Sequence, residues 1–220
     1  MKRVTALLLA AMMIITTGLI TPAMAAEDDV PETYSNAYVV MDAKTGQVLL
    51  QKNMYEKEYP ASITKILTTA LGLTYAKPED RITVSQETVS DVWKWGETTH
   101  LALEPGEIIT LKDALYGAMV ESANDCANAI AQAVSGSLTD FAELMNQQVA
   151  ALGLSDTHFT NAHGLPDKDH YTTAYDMARI TRWAMTVPGF EEYFCATEYT
   201  IPKTNKKDVA RNIGTHHHML

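Results

Sequence analysis

Recurring helix-start signals set the architecture that this sequence can adopt. The segments Thr110–Asp113, Ser137–Asp140 and Thr173–Asp176 each have the Ser/Thr-x-x-Asp form of a capping box. In such a box a side-chain oxygen accepts a hydrogen bond from a backbone N–H group at the helix start. Gly136 and Gly153 are suitable stop signals, because glycine readily adopts the left-handed conformation that ends helices. The sequence therefore predicts helices over residues 111–121, 123–134, 138–152 and 174–186.

A strand pair precedes these helices. Residues 38–42 and 47–51 are two strand-like runs separated by Gly46, which predicts an antiparallel hairpin with its turn at Lys44-Thr45-Gly46. Pro60 and Ser62 open a further helical stretch, since proline suits the first turn of a helix. No other strand pair stands out. An isolated hairpin needs more strands or a helix layer for stability, so we expect a mixed α/β fold.

Ser62 and Lys65 are the first candidate catalytic residues. They lie three positions apart at the start of an apolar helical pattern, so their side chains share one helical face. A serine hydroxyl needs a base within hydrogen-bond reach to act as a nucleophile, and a lysine kept neutral by burial is such a base. Because a chain of this length contains about one Ser-x-x-Lys by chance, a helix start with a surface lysine is the alternative.

The triplet Ser122-Ala123-Asn124 supplies a second candidate group. It falls at the break between the predicted helices 111–121 and 123–134. A serine and an amide facing the same way there would be able to transfer a proton and hold a peptide bond. Taken alone, the triplet is more typical of a helix cap or turn.

The two motifs in this order resemble those of the serine-type D-alanyl-D-alanine carboxypeptidases, the low-molecular-mass penicillin-binding proteins of peptidase family S11. The resemblance extends from about residue 37 to the C-terminus, and four further stretches carry it: residues 40–49, 103–115, 161–165 and 172–178. It implies an α/β fold of the α+β type. In this β-lactamase/DD-peptidase-like sandwich, a helical region is inserted into an antiparallel sheet.

The resemblance also implies a reaction. Ser62 attacks the carbonyl between the two terminal D-alanines of a peptidoglycan stem peptide, and Lys65 takes its proton. Ser122 relays that proton to the departing D-alanine, Asn124 holds the substrate amide, and water releases the acyl-enzyme. β-Lactams acylate Ser62 as inhibitors. The reaction needs no cofactor and no metal.

The third motif of the family, Lys-Thr-Gly, does not follow Ser122-Ala123-Asn124 in this chain. Its one occurrence, at residues 44–46, precedes the nucleophile and is interpreted as a hairpin turn. Lys203-Thr204-Asn205 is the triplet most similar to this motif after residue 124, and it is predicted to be a loop. We therefore expect an N-terminal portion of a longer protein, with an incomplete catalytic domain over residues 37–220. Later sheet strands, and any membrane anchor, would belong to the missing C-terminal segment.

Two other functions stay open. A β-lactamase of the same fold needs a group that activates the deacylating water, and Glu143-Leu144-Met145-Asn146 is one residue too short for the Glu-x-x-Leu-Asn stretch that would supply it. A non-catalytic module that binds cell wall or senses penicillin is the other alternative. The intact Ser62–Lys65 pair argues against that module, whereas the missing third motif argues for it.

The N-terminal residues predict export. Residues 1–25 contain Lys2 and Arg3, an apolar run and a small-x-small cleavage site at Ala23-Met24-Ala25, as in a secretory signal peptide. A polar linker, residues 26–36, follows. Because residues 1–25 contain two cations and no acidic residue, their removal changes the formal charge from −10 to −12. An acidic chain argues against nucleic acid as a partner. We expect an extracytoplasmic protein of the cell envelope.

The remaining reactive side chains have structural interpretations. Cys126 and Cys195 are either a disulfide or two thiols, and two unpaired thiols are favoured because two cysteines form no disulfide framework. His163 is predicted to lie in a loop with a structural role. Residues 216–218 are three adjacent histidines, which point in different directions on any regular element. We therefore expect them to form an ordinary stretch and not a metal site.

Overall fold

The computed structural model describes residues 33–215. Within that range the chain forms six strands and seven α-helices, and one turn of 3-10 helix, Ala61–Ile63, precedes the first α-helix. The strands are β1 (Tyr38–Met41), β2 (Val48–Lys52), β3 (Arg81–Thr83), β4 (Ile108–Thr110), β5 (Glu198–Ile201) and β6 (Arg211–Gly214). The helices are α1 (Thr64–Tyr75), α2 (Gln86–Trp93), α3 (Leu111–Val120), α4 (Asn124–Ser135), α5 (Leu138–Ala151), α6 (Ala174–Ala184) and α7 (Phe190–Phe194).

The predicted hairpin is confirmed. Strands β1 and β2 pair antiparallel, with Tyr38 opposite Lys52. In the turn, Asp42 Oδ1 accepts hydrogen bonds from the backbone N–H and the hydroxyl of Thr45, each 2.7 Å long. Gly46 has a φ of +78°, a conformation that favours glycine. The Lys44-Thr45-Gly46 triplet is therefore a turn.

Two more antiparallel strand pairs are present that the sequence did not predict. Strand β3 pairs antiparallel with β4, and β5 pairs antiparallel with β6. The expectation of a single strand pair was therefore wrong. Strands of three or four residues are too short to show a period of two in the sequence, so tertiary context decides them. Lys203-Thr204-Asn205 lies in the loop between β5 and β6, as predicted.

The four predicted helices are confirmed, with ends that differ by no more than two residues. Thr110 and Asp113 form the complete capping box at the start of α3, since each side chain accepts a hydrogen bond from the other residue's backbone. Ser137 and Thr173 cap α5 and α6 through their hydroxyl oxygens. Local side-chain chemistry therefore sets the starts of these helices.

Helix α1 runs through the middle of the helical region, and the 3-10 turn that carries Ser62 immediately precedes it. Its side chains Leu67 and Leu71 are fully buried, and burying a side chain of this size stabilises the fold by about 1.5–3 kcal/mol. A Cβ atom added to Gly72 would lie 2.9 Å from the Ile130 side chain, so the missing side chain allows α4 to pack closely against α1. This packing fixes the orientation of α1 relative to α4.

Several sequence expectations concern residues that the structure does not describe. The predicted signal peptide, residues 1–25, and the histidines at 216–218 lie outside the described residues, as does most of the linker 26–36. Cys126 is buried and Cys195 exposed, and both are free thiols, as expected. In residues 33–215 no helix is both long and apolar enough to cross a bilayer.

Candidate active site

Ser62 lies in the 3-10 turn Ala61–Ile63, immediately before α1 begins at Thr64. It lines a cleft of about 300 Å³. The preceding residue, Ala61, has a φ of +50°, a strained conformation for a residue with a Cβ atom. The turn thus presents the Ser62 side chain to the cleft.

Lys65 lies directly beneath Ser62. Its Nζ donates hydrogen bonds to Ser62 Oγ at 3.1 Å and to the carbonyl oxygen of His163 at 2.8 Å. The lysine is only 2% exposed. Burial lowers the pKa of Lys65 from 10.5 to about 7, although nearby Asp125 and Cys126 oppose the shift. A substantial fraction of the amine is therefore neutral at physiological pH, as a general base requires.

The second motif lies where it was predicted, between two helices. Ser122 follows α3 with a φ of +59°, and Asn124 is the first residue of α4 and is 5% exposed. Asn124 shares the cleft with Ser62. Among the described residues Ser122 is neither a lining residue of that cleft nor a hydrogen-bond partner of Ser62 or Lys65.

The fully buried carboxylate of Asp125 organises the wall next to this motif. It accepts hydrogen bonds from the backbone N–H groups of Leu101 at 3.1 Å and Leu103 at 3.0 Å. The backbone N–H of Asn124 donates to the carbonyl of Thr99 at 2.9 Å. Burial raises the pKa of Asp125, and these hydrogen bonds oppose that rise. Segment 99–103 is thereby fixed against the start of α4.

The loop at residues 161–165 forms the opposite wall. Gly164 has a φ of +93°, and a Cβ atom there would lie 1.8 Å from the carbonyl oxygen of Ala61. The loop therefore packs its backbone directly on the turn that carries Ser62. Asn161 Oδ1 accepts hydrogen bonds from the N–H groups of His163 at 3.3 Å and Gly164 at 2.7 Å, which holds the loop in this shape.

The His163 side chain contacts Asp91. Its Nδ1 accepts a hydrogen bond from the Leu165 N–H at 3.0 Å, so Nε2 carries the proton and donates it to Asp91 Oδ2 at 2.9 Å. Burial lowers the pKa of His163, and the bond to Asp91 opposes that shift. The sequence indicated a structural role for His163 but gave no signal for Asp91, which lies 72 residues away.

His170 is a second buried imidazole of the cleft. Its Nδ1 accepts a hydrogen bond from the Thr160 N–H at 3.0 Å, so its Nε2 donates to Thr64 Oγ1 at 3.0 Å. Burial lowers the pKa of His170 to about 4. It is therefore a neutral support for the first residue of α1 at physiological pH.

Ser62 and Asn124 thus line one cleft, and the buried Lys65 amine contacts the serine hydroxyl. The sequence around these residues matches a known family. The profile described as D-alanyl-D-alanine carboxypeptidase, peptidase family S11, matches residues 23–217. This chain belongs to that family. It is 34% identical over 218 residues to the D-alanyl-D-alanine carboxypeptidase DacF of Bacillus subtilis, which covers 94% of this chain and 54% of DacF.

Two further proteins are similar to this chain, one in sequence and one in structure. DacC of Escherichia coli is 36% identical over 170 residues, which cover 72% of this chain and 42% of DacC. The crystal structure of penicillin-binding protein 6B from E. coli superposes with a TM-score of 0.77 at 26% identity, covering 89% of this chain and 62% of that protein. The predicted DD-peptidase fold is confirmed. The chain spans about half the length of these two curated relatives.

Proposed function

We propose that this chain carries the nucleophile half of a serine-type D-Ala-D-Ala carboxypeptidase, which removes the terminal D-alanine from peptidoglycan stem peptides and binds penicillin. The observation that supports the proposal best is the 3.1 Å contact between Lys65 Nζ and Ser62 Oγ. The lysine is buried, its pKa is lowered to about 7, and the serine faces the cleft. These are the requirements for an activated nucleophile.

The proposed reaction is an acyl transfer. Ser62 Oγ attacks the carbonyl carbon between the two D-alanines, and its proton passes to Lys65 Nζ. As the tetrahedral intermediate collapses, the C–N bond breaks and the amine of the departing D-alanine receives the proton held by Lys65. The resemblance to the family assigns this relay to Ser122, whose hydroxyl must turn toward Lys65 when substrate is bound. Asn124 hydrogen-bonds the substrate amide. Water then attacks the ester carbonyl and frees Ser62, so the net reaction is hydrolysis of one peptide bond.

The backbone around Ser62 supports this role. A nucleophile at the start of a helix has its N–H group available for the developing oxyanion, and one such donor contributes about 3 kcal/mol to transition-state stabilisation. In residues 33–215 the family's third motif has no copy on the cleft wall, because Lys44-Thr45-Gly46 is a hairpin turn. The carboxypeptidase activity of the whole protein is therefore proposed and not shown.

The cellular setting belongs to the proposal as well. Acting on a peptidoglycan stem peptide places the enzyme outside the cytoplasm, and a cleaved signal peptide at residues 1–25 would deliver it there. The acidic composition argues against nucleic acid as a partner.

A fluorescent penicillin tests the proposal on this chain. We expect one covalent label per molecule on the peptide containing Ser62, retained through denaturing electrophoresis, and no label on Ser62→Ala. A label that is released rapidly with hydrolysed penicillin would instead indicate a β-lactamase. No label on this chain or on any longer product of its gene would indicate a non-catalytic module and would refute the carboxypeptidase.

The segment Glu143–Asn146 bears on the lactamase alternative. Asn146 Nδ2 donates to the Phe159 carbonyl at 2.8 Å, and its Oδ1 accepts from the Phe159 N–H at 2.9 Å. Glu143 is exposed on α5. Asn146 is thus occupied in holding the chain at Phe159, and neither residue lines the cleft of Ser62. This supports the peptidase over the lactamase.

A further inference from the structure

Asp91 forms the centre of a polar cluster behind the cleft. Its Oδ2 accepts hydrogen bonds from His163 Nε2 at 2.9 Å and from Asn128 Nδ2 at 3.0 Å, and its Oδ1 accepts from Lys94 Nζ at 2.6 Å. The four residues belong to three parts of the fold: Asp91 and Lys94 to the end of α2, Asn128 to α4, and His163 to the loop 161–165. The carboxylate therefore joins three separate parts of the fold.

The bonds of His163 connect this cluster to Lys65. The ring is held at Nε2 by Asp91 and at Nδ1 by the Leu165 N–H, so it has one orientation and one tautomer. The carbonyl of the same residue accepts the 2.8 Å hydrogen bond from Lys65 Nζ. His163 is 2% exposed, and a buried ring that loses its partner at Nε2 carries an unsatisfied donor, which is costly.

We propose that Asp91 is a positioning residue for the Lys65 base: its carboxylate fixes the ring of His163, and the fixed ring keeps the His163 carbonyl where it holds the Lys65 amine against Ser62. This inference rests on the proposed function, in which Lys65 is the base. Asp91 touches neither Lys65 nor Ser62, so its effect passes through the backbone of the loop.

The chain of contacts predicts which property of Asp91 matters. His163 and Asn128 both donate to the same oxygen, Oδ2. An asparagine in place of Asp91 retains an acceptor oxygen for both, and its amide then faces Lys94, whose side chain is 59% exposed and free to turn to solvent. A leucine has no acceptor. Hydrogen-bond acceptance, more than charge, is therefore the decisive property.

The first experiment measures the acylation rate of this chain by fluorescent penicillin in Asp91→Asn, Asp91→Leu and the control Lys94→Ala. Because displacement of a catalytic group by about 1 Å costs on the order of a hundredfold in rate, we expect Asp91→Leu to be slower by a factor of that size. Asp91→Asn and Lys94→Ala should stay within about threefold of the wild type, since both keep the acceptor. Equal rates for Asp91→Leu and the wild type would overturn the proposal.

The second experiment needs no substrate. The ¹³Cε NMR signal of Lys65 is titrated in the same variants, because it reports the protonation of the amine directly. Displacement of the loop admits water to Nζ and relieves the burial that lowers the pKa, so the Lys65 pKa should rise in Asp91→Leu and stay near 7 in Asp91→Asn. An unchanged pKa in Asp91→Leu would contradict the proposal even if labelling were slower.

These readouts separate the possible failures. If the wild-type chain is not labelled by penicillin, the proposed function fails, whereas the Lys65 titration still decides the role of Asp91. If Asp91→Leu does not fold, Asp91→Ala replaces it, because Asp91 is partly exposed and water is able to fill the space. A purely structural role would lower the thermal stability of Asp91→Leu and leave the Lys65 pKa of the folded protein unchanged, which would refute positioning.

Discussion

The amine of Lys65 lies 3.1 Å from the hydroxyl oxygen of Ser62, on a side chain that is 2% exposed. The same nitrogen is bonded to the His163 carbonyl at 2.8 Å, so it has one acceptor from its own helical segment and one from a distant loop. Burial makes the neutral amine accessible near pH 7, and the two acceptors direct it at the nucleophile. The first three predictions test this arrangement.

Replacing Lys65 by arginine should abolish acylation of Ser62. The guanidinium remains charged at every accessible pH, so it cannot take the serine proton. Since general-base catalysis contributes about 10²–10⁴-fold, penicillin labelling should slow by at least about a hundredfold. Lys112→Arg, on a half-exposed side chain of α3, is the matched control and should label normally. Labelling of Lys65→Arg at the wild-type rate would exclude Lys65 as the base.

Acylation should rise with pH through a single step near pH 7. The amine of Lys65, with a pKa lowered to about 7 by burial, is protonated and inactive below that pH and neutral above it. Labelling rates measured from pH 5.5 to 9, corrected for penicillin hydrolysis in buffer, give the profile. A profile that is flat, or one that rises only above pH 9, would show that Lys65 does not titrate as the structure indicates.

Lys65→Met should be more stable than the wild type at pH 6. Between pH 7 and 10.5 the unfolded chain binds a proton at Lys65 that the folded chain does not, so the stability of the wild type rises with pH across this window. Below pH 7 the wild type bears the full cost of the buried amine. Allowing for the two lost hydrogen bonds, the gain for methionine is on the order of 2 kcal/mol.

Chemical denaturation of both proteins at pH 6 and at pH 9.5 checks this. The difference in the free energy of unfolding between Lys65→Met and the wild type should be smaller at pH 9.5. At that pH the wild type gives up less free energy when its Lys65 amine becomes neutral on folding. A methionine variant that is less stable at pH 6 would contradict the expectation. Groups that titrate equally in both proteins cancel in the difference.

Gly164→Ala should disturb both the fold and the nucleophile. The new Cβ atom would lie 1.8 Å from the Ala61 carbonyl oxygen, one residue before Ser62. Gly153→Ala is the control, since Gly153 also has a positive φ, +70°, but no atom within 4 Å of the added Cβ. The control should lose about 1 kcal/mol, because its new Cβ atom crowds the backbone in the left-handed conformation. Gly164→Ala should lose at least about 2 kcal/mol more from the clash.

Penicillin labelling distinguishes the two glycine variants further. Displacement of the turn at Ala61 should slow labelling of Gly164→Ala, and labelling of Gly153→Ala should remain at the wild-type rate. Equal losses of stability and equal labelling in the two variants would show that the close approach at Ala61 has no functional consequence.

Glu107→Gln should strongly destabilise the protein. The Glu107 carboxylate is fully buried and accepts two hydrogen bonds from Arg211 Nη2, at 2.8 and 3.0 Å, and one from the Thr204 hydroxyl at 2.8 Å. These bonds join β6 and the loop before it to the segment preceding β4. Removing one partner of a buried ion pair costs about 3–5 kcal/mol, because Arg211 then stays charged without its counter-ion.

Glu104→Gln is the matched control for this pair, since Glu104 contacts Lys207 at the surface. It should change the free energy of unfolding little, because solvent screens an exposed ion pair. Urea denaturation of both variants provides the comparison. A loss for Glu107→Gln no larger than that for Glu104→Gln would show that the buried pair does not join these segments.

Sequence patterns predicted the elements whose cause is local. The caps at Thr110, Ser137 and Thr173 are set by contacts within three residues, and so is the Lys44-Thr45-Gly46 turn. The short strands β3 to β6 escaped prediction because their partners lie 10 or more residues away and their own length shows no periodicity. Contacts between residues close in the chain leave a recognisable pattern in the sequence, whereas pairing between distant strands does not.

The same division runs through the candidate site. By itself, the sequence determined that Ser62 and Lys65 meet on one flank of a helical segment, because spacing along a helix fixes direction. Only the tertiary structure decided that the amine is buried, that the His163 carbonyl binds it from 98 residues away, and that Asp91 secures that histidine. Desolvation and these contacts arise when separate elements pack, and no spacing along the chain encodes them.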